Sequence, residues 1–185
     1  MKLKKNEADY FQYAVKELID DKIDLHFSRT VKVDDCGGYF DPLNKELKVA
    51  IWNKYWFYIF IHEFNHYKQW KLKTKLWEAA EDIDFFNSYE ARDVLPIQLM
   101  EQECDKMVLK DIKKWDLNGF ENYIQESNSY HISYNNICNK KEFPKKGPFR
   151  FEEIVSLCPK DRFYKITELQ HPKQKLYKLI DELCF

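Results

Sequence analysis

The chain lacks the marks of several protein classes. Its opening residues, Met1-Lys2-Leu3-Lys4-Lys5-Asn6-Glu7, are basic but have no apolar stretch behind them, so they do not read as a signal peptide. The longest apolar run, Tyr55 to Ile61, falls far short of the ~20 residues that a membrane span requires. The cysteines (Cys36, Cys104, Cys138, Cys158, Cys184) are odd in number and contain no CxxC pair, which argues against a disulfide framework or a thiolate zinc knuckle. A net charge of −1 provides no overall field for nucleic acid or an anionic membrane, and the short lysine tracts read as solvated surface. There are no internal repeats and no low-complexity stretches. A cytoplasmic location, with neither nucleic acid nor membrane as partner, is the expectation.

What is present suffices for a folded domain. The 185 residues are 44% hydrophobic and 17% aromatic, which excludes disorder over most of the length. Asn6, as N-cap, opens a helix with apolar residues at Phe11, Ala14, Val15, Leu18 and Ile19, ending near Asp21. Ile23, Leu25, Phe27, Val31 and Val33 alternate with polar residues as in a strand, and Leu47, Val49 and Ile51 do so again. Between them, Cys36 to Asn44 carries turn chemistry around a short extended stretch. Asn53 is placed to cap a helix that runs uninterrupted by Gly or Pro to about Lys73. Residues 74–93 form an acidic, aromatic excursion with a short helix of its own. Pro96 is read as the first turn of a helix over Ile97 to Trp115, followed by a helix from Phe120 to Ile137. A polar linker from Asn139 to Pro148 leads to short helical pieces at Phe151–Leu157 and Pro172–Leu183. The expected class is α+β, with a small antiparallel sheet packed on a central helix and a mainly helical C-terminal half. The expected division is a core over residues 1–138 and a helical extension over residues 139–185 packed on it.

The second helix-forming run holds the most informative residues, His62-Glu63-Phe64-Asn65-His66. On a helix, HExxH stacks two His on one face, where both can bind Zn²⁺, and sets the Glu to act on a water at the metal. A catalytic zinc site needs a third protein ligand. The residues after His66 supply neither the Gly nor the third His of HExxHxxGxxH, which excludes the metzincin solution. A later carboxylate is the alternative. Glu101 and Asp105 lie four apart, so one can bind metal while the other orients a ligating His. Helical phase puts Glu101 beside Val108 and Ile112 at the edge of the apolar stripe, and Glu103 among Lys106, Lys110 and Lys114. Glu101 is therefore the ligand candidate and Glu103 the surface residue. His26 and His171 have no partners at ligand spacing.

At these residues the chain resembles the gluzincin metallopeptidases. HExxH followed by Glu101-Gln102-Glu103-Cys104-Asp105 is similar to the E-x-E-A-D block of compact intracellular members such as ImmA/IrrE-type and HtpX-like catalytic domains, with Cys104 in place of the usual Ala. Thermolysin keeps the same Glu-to-Asp spacing, with a shorter gap after the second His. The resemblance covers roughly Glu46 to Ile112. It implies a zincin-like fold and a peptide or protein substrate, with a zinc-bound water activated by Glu63. His62, His66 and Glu101 would be the ligands, and Asp105 would hold a ligating His. It further implies a strand lying antiparallel to bound peptide, for which Glu46 to Ile51 is the matching segment, and it makes the 74–93 excursion a lid or rim. Tyr130, His131 and Tyr134 are candidates for oxyanion or substrate contacts, set against a packing role. The alternative function is a zincin-fold sensor or interaction protein that binds one partner with little turnover. In a third reading the motif is coincidental in a helical phage protein, and the Lys-, Asn- and Tyr-rich composition would suit a phage or mobile element.

Overall fold

A computed structural model describes residues 3–34, 36–83 and 89–185. The chain divides into two compact units, Met1–Thr74 with Cys104–Gly119, and Lys75–Glu103 with Phe120–Phe185.

The first unit opens with α1 (Lys5–Asp20), whose Tyr10, Ala14 and Leu18 recur every fourth residue and are fully buried. The cap is not Asn6. The Lys4 amide donates to the Glu7 carboxylate at 2.8 Å, while the Asn6 side chain bonds the Asp116 carbonyl. Three strands follow: β1 (Asp24–Ser28), β2 (Gly38–Asp41) and β3 (Glu46–Ala50). Their order is β1-β3-β2, with β1 parallel and β2 antiparallel to β3, so the sheet is mixed rather than antiparallel. Side-chain alternation has period two in both pairings and does not distinguish them. The first strand stops at Ser28. Val31 lies outside it, and Val33 only forms a bridge to Cys36. β2 is the short extended stretch expected between Cys36 and Asn44.

β3 is the central strand, with Leu47, Val49 and Ala50 fully buried. Both its edges are paired, so the peptide-binding role implied for Glu46 to Ile51 has no free backbone there. The motif helix α2 (Trp56–Leu72) packs on the sheet with Phe60 against Phe27 of β1 and Tyr67 and Trp70 against Phe40 of β2, while Phe57 and Phe64 meet Tyr10 of α1. A Cβ at Gly38 would lie 2.6 Å from the Lys48 carbonyl and 2.8 Å from Ile59, so close packing of helix on strand needs glycine there. Asn53 does not cap α2 itself. Its Oδ1 accepts the Tyr55 amide at 3.0 Å, closing the turn that precedes the helix. Lys73 ends α2 in the left-handed region at φ 48°. Lys22, Lys45 and Lys141 share that conformation, with φ between 52° and 58°.

The second unit begins with α3 (Lys75–Ala80), the expected short helix of the excursion. Residues 84–88 of that segment, with Phe85 and Phe86, lie outside the described residues. α4 (Ala91–Trp115) starts six residues before Ile97 and contains Pro96, so proline does not open it. Pro96 removes only the bond to the carbonyl of Arg92, an exposed residue in the first turn, and burial of Val94 and Ile97 carries the helix through. The boundary between the units falls within α4, after Glu103.

α5 (Tyr123–Lys140) runs into the expected linker. A 3₁₀ turn at Pro148–Arg150 follows, then α6 (Glu152–Val155), α7 (Ile166–Gln170) and α8 (Gln174–Cys184). One face of this unit's core gathers Ile132, Ile154, Tyr164, Leu169, Leu176 and Ile180, and another gathers Ala80, Val94, Ile97, Tyr134 and Ile137. Asn128 clamps the loop before α7, donating to the Pro159 and Arg162 carbonyls and accepting the Tyr164 amide. No helix among the described residues is long and apolar enough to cross a membrane.

α7 was not legible as a helix in the sequence, and its start depends on one carboxylate. Glu168 pairs with both terminal nitrogens of Arg162, at 2.7 and 2.9 Å, and accepts the Lys165 amide at 2.8 Å. The Arg162 guanidinium, more than the amide, holds its carboxyl down at about 2. The folded pKa lies below the unfolded one, so the pairing stabilises above the ordinary carboxylate range near ~4.3 and loses that effect as pH falls toward the folded value. Glu168→Gln should therefore unfold at a lower temperature than the parent at neutral pH. In thermal scans stepped from pH 7 to pH 2 the two should converge, and a constant gap would contradict the pairing.

Candidate metal centre

α2 has apolar residues on nearly all sides, because it is covered by α1, the sheet and the second half of α4. Its polar residues are therefore placed where something meets them. His62 and His66, one turn apart, project side by side with ring centroids 4.6 Å apart. Their Nε2 atoms face each other at 3.0 Å. On the far side of each ring stands an acceptor: Asp105 Oδ1 lies 3.1 Å from His62 Nδ1, and Gln69 Oε1 lies 2.9 Å from His66 Nδ1.

These contacts set the tautomers. A carboxylate or amide oxygen opposite Nδ1 requires that nitrogen to carry the proton, which leaves Nε2 with a lone pair. Both Nε2 lone pairs then point into the same gap. Two acceptors at 3.0 Å repel unless a proton or a cation lies between them. Two neutral imidazoles with converging Nε2 atoms are the donor set that Zn²⁺ and related ions take, so the residues fit the metal that the resemblance implies.

Cys104 completes a group of three donor-bearing residues whose ligand atoms lie within 4.8 Å of one another. Its Sγ lies 3.7 Å from His62 Nδ1 and donates to the His62 carbonyl at 3.3 Å. The thiol thus lies near the Nδ1 side of the His62 ring, within reach of both histidines.

Glu63 is half-buried on α2. Burial, and after it the Glu63 carboxylate, pushes up the Cys36 thiol in the turn before β2. Glu101 and Asp105 stand one turn apart on α4, as their spacing requires. The Tyr134 hydroxyl donates to Glu101 Oε1 at 3.2 Å. Burial, and then the Glu101 charge, raises Tyr134 well above its ordinary pKa, so it remains a donor to that carboxylate. Tyr130 packs edge-on against Tyr134 at 5.5 Å. His131 is buried, its carbonyl accepts from Gln98 at 2.8 Å, and its ring lies 6.2 Å from that of Phe163.

Two participants escaped the sequence reading. Gln69 is fully buried and lies three residues beyond His66 and seven beyond His62, a spacing that puts all three on one helical face. That periodicity was available in the sequence. The second participant is a knot around Asp111. Its Oδ2 accepts from Tyr10 Oη at 2.9 Å, Asn65 Nδ2 at 3.1 Å and Lys68 Nζ at 2.9 Å, tying α1, α2 and α4 together. Asn65 is one of the two variable residues of the HExxH run, which nothing in the motif marks as structural.

Comparison with protein-family models, with characterised proteins and with solved structures gives no match.

Proposed function

We propose that the chain is a zinc-dependent hydrolase of the gluzincin type that cleaves peptide bonds. The observation that carries this reading is the pair of Nε2 atoms converging at 3.0 Å, each ring held from behind by an acceptor. Zn²⁺ held there would act as a Lewis acid on a carbonyl and lower the pKa of water toward ~7. His62, His66 and Glu101 are its ligands in this reading. Asp105 fixes the ring of His62, and Tyr134 holds the Glu101 carboxylate through its hydroxyl. Glu63 takes the proton of the attacking water and returns it to the leaving amine. Among the described residues, the outer strands of the sheet are β1 and β2. Because β2 is the antiparallel edge strand, the substrate-pairing role passes from Glu46–Ile51 to Gly38–Asp41.

The assignment of ligands is tested by metal content of purified variants. His62→Ala and Glu101→Ala should each lose stoichiometric zinc, while Glu103→Ala and Cys104→Ala should keep it. Loss on Cys104→Ala with retention on Glu101→Ala would make the thiol the third ligand. Full zinc in His62→Ala would remove the site altogether. Zinc uptake without turnover of unfolded protein, together with selective binding of one partner, would replace the peptidase by the recognition reading.

A further inference from the structure

β1 is an outer strand of the sheet, and its backbone alternates in where it points. The Asp24 amide donates to the Lys45 carbonyl at 2.8 Å, and the Ser28 carbonyl accepts the Ile51 amide at 2.9 Å. With β1 in parallel register on β3, Asp24, His26 and Ser28 turn both backbone groups toward β3, while Leu25 and Phe27 turn theirs outward. Among the described residues, no strand pairs with that outer side. Neither proline nor lysine, the residues that commonly keep an edge from pairing, occurs within the strand. An apolar face of α1 stands over it. Phe11, Val15 and Ile19, each four apart, line a shallow groove, and Phe11 packs on Phe27 at 5.8 Å. Ile19 and Phe27 are 65% and 38% exposed.

We propose that this edge joins a second copy of the chain, the two β1 strands pairing antiparallel about a two-fold axis at His26. Symmetry and charge identify the occupant. Leu25 and Phe27 are equidistant from His26, so in this register Leu25 of each copy exchanges two backbone hydrogen bonds with Phe27 of the other. No outward-facing group of the strand is left over. Only Asp21 to Ile23 separate α1 from β1, so the helix runs back over the strand with Ile19 nearer Leu25. The second copy's Phe27 then comes beside Leu25, under the Val15–Ile19 end of the groove, and the contact is repeated across the axis. The two ends of the strand also differ in charge. Asp20 and Asp24, with Lys22 between them, lie at its start, and Arg29 and Lys32 lie just beyond its end, all exposed. Antiparallel pairing sets each Asp24 diagonal to Arg29 of the other copy, whereas parallel pairing would bring like ends together. The resulting six-stranded sheet keeps the β2 strands outermost, where substrate pairing is assigned.

Sedimentation velocity of the whole chain over a concentration series, up to about 100 μM, reads the association. The wild type should form dimers and nothing larger, because a two-fold contact closes on itself. Ile19→Lys, at an exposed site, should weaken the dimer about 10-fold or more by placing an ammonium in the apolar groove. Asp24→Arg and Arg29→Asp should each associate more weakly alone, since each sets like charges together on both sides of the axis. Mixing these two variants should restore a one-to-one heterodimer, a result that misfolding of either could not produce. A wild type that stays monomeric throughout the series overturns the inference and leaves the edge to a foreign strand. A dimer indifferent to Ile19→Lys overturns it as well, as does a mixture that associates no better than its components.

Discussion

Replacing Glu63 by Gln should leave zinc content unchanged and lower peptide hydrolysis by about 10²- to 10⁴-fold, the range that a positioned general base contributes. The substitution preserves size and removes only the capacity to take a proton. Glu63 follows His62 directly, so its side chain turns about 100° away from the ligating face and is not needed to hold the ion. The measurement pairs zinc analysis with turnover of an unfolded protein substrate, because unfolded chain can pair with a strand edge while folded chain cannot. Zinc loss in Glu63→Gln would make Glu63 a ligand. Unchanged turnover would remove its role as base.

The second large effect is on stability. Asp111→Ala should cost about 3 kcal/mol of unfolding free energy, read from the urea midpoint. Asp111 Oδ2 collects three donors, and two of them, Tyr10 and Asn65, are completely buried. Removing the carboxylate leaves the Tyr10 hydroxyl and the Asn65 amide short of an acceptor where water does not reach. Lys68 behaves differently. Its side chain is 21% exposed and can turn its ammonium to solvent, which keeps the cost below that of stranding a fully buried charge. Asp111→Asn retains one oxygen and should cost less than Asp111→Ala. A change under ~1 kcal/mol in Asp111→Ala would mean that the three donors find other partners. Because Asn65 and Lys68 flank His66 on α2, loosening this knot should also weaken zinc binding, although none of the four residues would touch the metal.

The sequence exposed the site unevenly. His62, His66 and Asp105 were readable because a helix converts sequence spacing into direction without reference to the rest of the fold, and their meeting follows from two helices alone. Gln69 obeys the same periodicity but carries no charge, and a neutral polar residue in a helix does not announce that it will be buried. The sheet was harder to read. The alternation in β1 and β3 fixes which side chains face the core, yet the partner and direction of a strand depend on the path of the chain between them. Here the intervening β2 takes the far edge of β3 and leaves β1 parallel to it. Pro96 misled for a local reason: the rule that places proline in a first turn weighs the lost hydrogen bond but not the burial of Val94 and Ile97 on either side.

The lysines in left-handed backbone conformation point to unused thermal tolerance. The chain has only four glycines, and Lys22, Lys45, Lys73 and Lys141 take up positive φ where a residue without Cβ would fit at lower cost. Each such residue carries roughly 1 kcal/mol of local strain, partly offset because glycine would loosen the unfolded chain. None of the four is a candidate ligand or a partner of one, so the scaffold can be hardened against heat at these turns while the chemistry between His62 and Glu101 is left as it stands.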